Sequence, residues 1–97
     1  MRVSVRFFTT LREITGKKEE TLTFKKGEHA TISSALDKLA DRYGKSLVHY
    51  VYDRRTGEVG NYLQFLVNGR NTSASGGLET KLADGDVLAL IPPVGGG

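Results

Sequence analysis

The residues best suited to do chemistry are the last three, Gly95-Gly96-Gly97, which present a free α-carboxylate on a segment without side chains. Three glycines remove every Cβ, so the segment is narrow and takes backbone angles closed to other residues. It can enter a tight channel in a partner. Ahead of it, Pro92-Pro93 fixes φ at two successive residues and favours an extended, polyproline-like exit that lifts the chain away from the preceding element. At about 3.3 Å per residue, Val94 to Gly97 then project the carboxylate on the order of 13 Å from the prolines. A carboxylate presented this way suits adenylation by ATP, because an acyl-adenylate is an electrophile that a sulfur or amine nucleophile can capture. The catalytic group expected of this chain is therefore the Gly97 carboxylate itself, exposed without proteolytic processing. Taken without its surroundings, a terminal glycine run also fits an inert, floppy end.

No other set of residues competes. His29 and His49 lie far apart and have no nucleophile or ligand at motif spacing. Ser33, Ser34, Ser73 and Ser75 lack a G-x-S-x-G context, and the glycines match neither a P-loop nor a dinucleotide fingerprint. Asp37 and Asp41 share a helix face at i and i+4, as an acid pair would, but a solvated helix surface explains them better. With no cysteine, the chain has neither a disulfide nor a thiolate metal site, and we expect no bound metal or cofactor. The net charge of +3 comes from 14 basic and 11 acidic residues interspersed along the chain. Its basic doublets, Lys17-Lys18, Lys25-Lys26 and Arg54-Arg55, fall in expected turns and not on one clustered stripe, which argues against nucleic acid as the main partner. No run approaches the roughly 18 apolar residues of a membrane span, and the start alternates polar and apolar residues where a signal peptide would be apolar. We therefore expect no membrane association and a cytoplasmic location.

These 97 residues must position the tail with one modest core, burying roughly 60–70% of the surface of the unfolded chain. Val3, Val5 and Phe7 alternate with Arg2, Ser4 and Arg6, the period-two pattern of a half-buried strand. After a loop around Gly16-Lys17-Lys18, Leu22 and Phe24 predict a second strand at hairpin distance. Thr31 is a helix cap, Ile32, Ala35, Leu36, Leu39, Ala40 and Tyr43 recur at helical spacing, and Gly44 supplies the stop. Lys45 to Gly60 has no regular period and reads as a loop or short hairpin, with a turn at Asp53-Arg54-Arg55-Thr56-Gly57. Leu63, Phe65 and Val67 form a third strand up to the hairpin signal Asn68-Gly69, and a short strand follows. Asp84-Gly85-Asp86 then launches Val87-Leu88-Ala89-Leu90-Ile91, a continuous apolar run typical of a central strand, which Pro92 ends. The order fits an α+β fold of the β-grasp (ubiquitin-like) type: a mixed sheet covered on one face by one main helix, with one domain over 1–91 and an extended tail over 92–97.

Strand parity adds a surface. If Val3, Val5 and Phe7 face the helix, Phe8 falls on the outer face, as does Leu66 between Phe65 and Val67 and as do Val87, Ala89 and Ile91. Phe8, Leu66 and Ile91, on adjacent strands near the tail, form a candidate partner-binding patch. The competing reading buries them under the 45–60 stretch.

The closing segment, Asp84-Gly85-Asp86-Val87-Leu88-Ala89-Leu90-Ile91-Pro92-Pro93-Val94-Gly95-Gly96-Gly97, resembles that of the molybdopterin synthase small subunit and the small archaeal modifier proteins. The start, with Phe7-Phe8 followed by Leu11-Arg12-Glu13 and Gly16, resembles the same family. The turn Asp53-Arg54-Arg55-Thr56-Gly57-Glu58 is similar to an insertion of its archaeal members. The resemblance implies a carrier and not an enzyme: an ATP-dependent, ubiquitin-activating-type adenylyltransferase adenylates Gly97, and ATP is that partner's substrate. It implies two outcomes. One is a thiocarboxylate that donates sulfur to molybdopterin precursor, with the synthase large subunit as partner, or to tRNA. The other is attachment to lysines of target proteins. The alternative is a β-grasp interaction or RNA-binding module with an inert tail.

Overall fold

In the computed structural model, which describes residues 1–92, the alternating stretch at the start is strand β1 (Arg2–Phe7). Val3, Val5 and Phe7 are fully buried. Strand β2 (Glu19–Thr23) returns antiparallel, pairing Leu22 with Val3 and Glu20 with Val5, and sends Leu22 and the following Phe24 into the core. Between them the expected loop contains a short helix, α1 (Thr10–Thr15), anchored by the buried Leu11 and closed by Gly16 at φ +73°. One turn and a half gives too little periodicity to read, and its stability comes from Leu11 docking in the core.

Helix α2 (Ile32–Tyr43) starts as its sequence predicts. Thr31 Oγ1 accepts from the Ser34 N–H at 3.1 Å while Ser34 Oγ accepts from the Thr31 N–H at 2.8 Å, a reciprocal cap with serine in the position usually held by Glu or Gln. Ile32, Ala35, Leu36 and Leu39 face the sheet and are buried. Gly44 stops the helix at φ +74°, a conformation costly for a residue with a Cβ.

The stretch after Gly44 corrects the sequence reading. Residues Lys45–Val51 form a third helix, α3, instead of a loop, because Leu47 and Val51, one turn apart, are both fully buried. The short hairpin is present only beyond it, as a single bridge between Tyr52 and Val59 around the Asp53–Glu58 turn. Asp53 Oδ1 accepts from the Arg55 N–H at 2.7 Å and so shapes that turn.

Strands β3 (Gln64–Val67) and β4 (Arg70–Asn71) are joined by Asn68 and Gly69, both at positive φ, +52° and +82°, as a two-residue hairpin turn requires. A 3₁₀ turn (Gly77–Glu79) leads to the last strand, β5 (Val87–Ile91). The sheet order is β2-β1-β5-β3-β4, with β5 central, parallel to β1 and antiparallel to β3. The fold is a β-grasp, with its core between this mixed sheet and the helices.

Candidate functional site

Everything that aims the end of the chain converges on β5. Gly85 sits at φ +85°, and its N–H donates to Arg2 O at 2.8 Å. The flanking carboxylates complete the turn: Asp84 Oδ1 accepts from the Arg2 N–H at 2.7 Å, and Asp86 accepts from the Ala83 N–H at 2.8 Å and from Asn68 Nδ2 at 2.9 Å. The turn therefore ties the start of β1 to the β3–β4 hairpin and fixes the register of the strand between them. Both aspartates are structural. β5 then leaves the middle of the sheet at Ile91, and Pro92, half-buried, is the last residue described. Pro93, Val94, Gly95, Gly96 and Gly97 lie outside the described residues.

Along β5, Leu88 and Leu90 are fully buried while Val87, Ala89 and Ile91 are half-buried, the alternation that the parity reading assigned. On the outer side, Arg6, Ala89 and Leu66 form one row across three strands, and Ile91 pairs with Gln64 in the next. Phe8 and Ile91 each follow one member of the Phe7–Leu90 pair. Phe8, Leu66 and Ile91 are all half-buried. The 45–60 stretch lies elsewhere. Helix α3 packs on α1 and α2, with Leu47 and Val51 in the core, and Tyr52 and Val59 pack against that core.

Two arginines border this face, and the sequence reading passed over both. Arg12 donates from Nε to Phe7 O at 3.0 Å and holds its guanidinium 5.5 Å from the centre of the Phe8 ring, a cation–π contact that fixes Phe8. Its signal was the L-R-E run: Arg12 sits in the first turn of a short helix whose first residue follows Phe8 by two. Arg6, beside Ala89, is 3.9 Å from Glu19, a loose and exposed pair.

The other candidate residues lie away from β5. His29 and His49 are exposed, as are Asp37 and Asp41, and Asp37 accepts weakly from the Tyr52 hydroxyl at 3.4 Å. Burial, with Asp37 next, pushes the Tyr52 hydroxyl up to about 12. Glu20 is the best-connected carboxylate. It accepts from the Tyr43 hydroxyl, which foremost holds its carboxyl below the ordinary 4.5, and it meets Lys17 at 3.2 Å and Arg42 at 2.8 Å. Burial and this partner push Tyr43 up to about 12. The cluster clamps the end of α2 to β2 and has no reacting group. Among the described residues no group of three or more His, Cys, Asp or Glu is placed to hold a metal ion, and no helix is long and apolar enough to cross a membrane.

Comparison with known proteins agrees with this geometry. The sequence profile of the ThiS family matches residues 5–97. Small archaeal modifier protein 3 of Haloferax volcanii is 34% identical over 97 residues, covering 100% of each chain. Sulfur carrier protein CysO of Mycobacterium tuberculosis is 28% identical over 97 residues, again 100% of each. The crystal structure of SAMP1 from Haloferax volcanii matches at a TM-score of 0.84 and 30% identity, covering 100% of both chains.

Proposed function

The chain belongs to the ThiS family, and on that premise we propose that it is a ubiquitin-like carrier working through the α-carboxylate of Gly97. One observation supports this most: the central strand, locked in register by the Asp84-Gly85-Asp86 turn, leads directly into Pro92-Pro93-Val94-Gly95-Gly96-Gly97 beside a half-buried apolar face. The protein supplies a substrate group and an aimed tail, and the catalysis belongs to its partner.

In the first step a Gly97 carboxylate oxygen attacks the α-phosphorus of ATP held by an activating adenylyltransferase. The bond from that phosphorus to the bridging oxygen breaks, and pyrophosphate leaves. In the second step a nucleophile attacks the acyl carbon, and AMP leaves with the oxygen that joined it to the carbonyl. A sulfur nucleophile leads to a thiocarboxylate, the sulfur donor for molybdopterin precursor or tRNA; a lysine amine gives an isopeptide on a target protein. The names of the two relatives, a modifier and a sulfur carrier, span both outcomes. Phe8, Leu66 and Ile91 dock the activating enzyme, and the molybdopterin synthase large subunit or target lysines receive the activated tail. The reactions take place in the cytoplasm.

Incubation with ATP, magnesium and the matching activating enzyme should release pyrophosphate, and hydroxylamine should trap the Gly97 acyl group. The Gly97 amide should do neither while keeping its fold. Equal behaviour of amide and free acid would remove the carrier reading and leave an interaction module with an inert tail. The intact mass of protein from its native cells separates the two chemistries: exchange of one oxygen for sulfur marks sulfur transfer, and Gly-Gly remnants on target lysines mark conjugation.

A further inference from the structure

Phe7 is the hub of one end of the sheet. It pairs with Leu90, two residues before Pro92; its N–H donates to Lys18 O at 2.9 Å, its carbonyl accepts from Arg12 Nε at 3.0 Å, and its ring meets that of Tyr43 edge-on at 6.1 Å. These contacts gather stretches far apart in the chain around the point where the tail departs: α1 with Arg12, the following loop with Lys17 and Lys18, and the end of α2 with Arg42 and then Lys45. Arg6 joins them from β1. All six basic residues are exposed.

The acidic residues at this end are Glu13, Glu19 and Glu20. Glu20 binds Lys17 and Arg42, and Glu19 stands loosely beside Arg6 at 3.9 Å. Arg12, Lys18 and Lys45 have no acidic partner among the described residues. Of the chain's 14 basic and 11 acidic residues, eight of each remain for the rest of the molecule. Charges interspersed along the sequence are therefore segregated by the fold, and the whole excess of +3 lies at the end that carries the tail. The tail from Pro92 to Gly97 has no charged side chain, so long-range attraction to a partner comes from this surrounding surface.

We propose, on the carrier reading above, that this basic end steers the tail to an acidic rim around the nucleotide site of the activating enzyme. It sets how often the two meet, while Phe8, Leu66 and Ile91 set how long they stay together. Nucleic acid fits this surface less well. Glu13, Glu19 and Glu20 interrupt the basic groups, and the neighbouring ring of Phe8 is half-buried and already covered by Arg12, so it offers no open stacking platform.

The test is stopped-flow association of the full chain with the activating enzyme at about 50 and 300 mM salt. From the lower to the higher, the association rate constant of the unaltered chain should fall about fivefold or more, with dissociation nearly unchanged. Lys18→Glu with Lys45→Glu alters two exposed side chains and should slow association about tenfold at low salt; Lys18→Gln with Lys45→Gln should fall in between. Lys25→Glu with Lys26→Glu makes the same change in net charge at the far end of β1, where Phe24 bonds to Met1, and should slow association about twofold at most. Equal slowing by the two reversals, slowing by neither, or an association rate indifferent to salt overturns the proposal. Saturable binding of tRNA at about 150 mM salt, abolished by the Lys18 and Lys45 reversal, would assign the surface to RNA instead. Pyrophosphate release keeps the two readings apart: a chain that releases it without salt-dependent association loses only the steering, whereas one that releases none loses the carrier function as well.

Discussion

On the helix side of the sheet, Val3, Val5, Phe7, Leu88 and Leu90 are fully buried; on the other side, Ala89 and Ile91 of β5, Leu66 of β3 and Phe8, just past the end of β1, stop at half-burial. The inner residues are equally apolar and differ from the outer ones in what covers them: α1, α2 and α3 all pack on one face. An apolar side chain on the inner face is explained by folding. One on the outer face is only partly so, because leaving it partly wet forgoes a share of the roughly 1.5–3 kcal/mol that full burial of such a side chain provides. The difference assigns stability to the inner face, and the proposed docking of the activating enzyme would fall on the outer one, a division that substitutions can test.

The largest effect should come from the inner face. Leu90→Ala removes a fully buried side chain from the central strand and should cost about 2–5 kcal/mol, read as a large drop in denaturation midpoint. A loss below 1 kcal/mol would mean that the core tolerates a cavity beneath β5. Gly85→Val should follow at about 1–3 kcal/mol, since a β-branched residue is forced to φ +85° where nothing crowds its Cβ and only backbone strain acts. An unchanged melting temperature would show that the turn can relax without disturbing β5.

Glu20 tests the rim of the inner face, where a carboxylate with its side chain only 10% exposed takes the place of an apolar contact. Glu20→Gln should cost about 1.5–3 kcal/mol at neutral pH, the range for hydrogen bonds to a charged group. Its folded pKa is depressed, so its contribution is complete above the ordinary 4.5 and is lost as pH falls through the lower folded value; the variant should show a smaller acid-side loss. On the alkaline side the sign is opposite. Tyr43 and Tyr52 keep their protons to about 12 when folded and lose them near 10.0 when unfolded, so stability should fall across that interval. The smallest effect on stability belongs to the outer face. Phe8→Asp and Ile91→Asp should each cost under about 1 kcal/mol yet abolish capture by the activating enzyme in a binding assay. If either fails to fold, that side chain belongs to the core.

Much of this was legible in the residues. β1, α2 and β5 each repeat one period long enough to exclude the other, and Asn68-Gly69 and Asp84-Gly85-Asp86 carry turn chemistry that admits few conformations. Helices α1 and α3 were missed for a physical reason: six and seven residues are too short to be helical on propensity, and both are held by one or two core contacts, Leu11 in one and Leu47 with Val51 in the other. The i, i+4 spacing of Leu47 and Val51 was visible, but Val48, Tyr50 and Tyr52 beside them favour strand. Parity placed Phe8, Leu66 and Ile91, whereas Arg12 over Phe8 needed a helix that was not foreseen. That β2 lies at one end of the sheet was out of reach, because sheet order is a long-range property of the whole chain.

That order has a mechanical consequence. The first and last strands lie side by side and parallel, so a pull on residue 1 against Gly97 drives β1 and β5 past each other along their length. Every bond between them is loaded at once, in shear, and none can open ahead of the rest. A pull that peels β5 from β3, its antiparallel neighbour, would break that ladder one bond at a time. A carrier fixed to another molecule by its tail should therefore resist unfolding by an extraction machine that grips it at the N-terminus far better than by one that grips it at the exposed Tyr62, next to the end of β3 that pairs with Ile91.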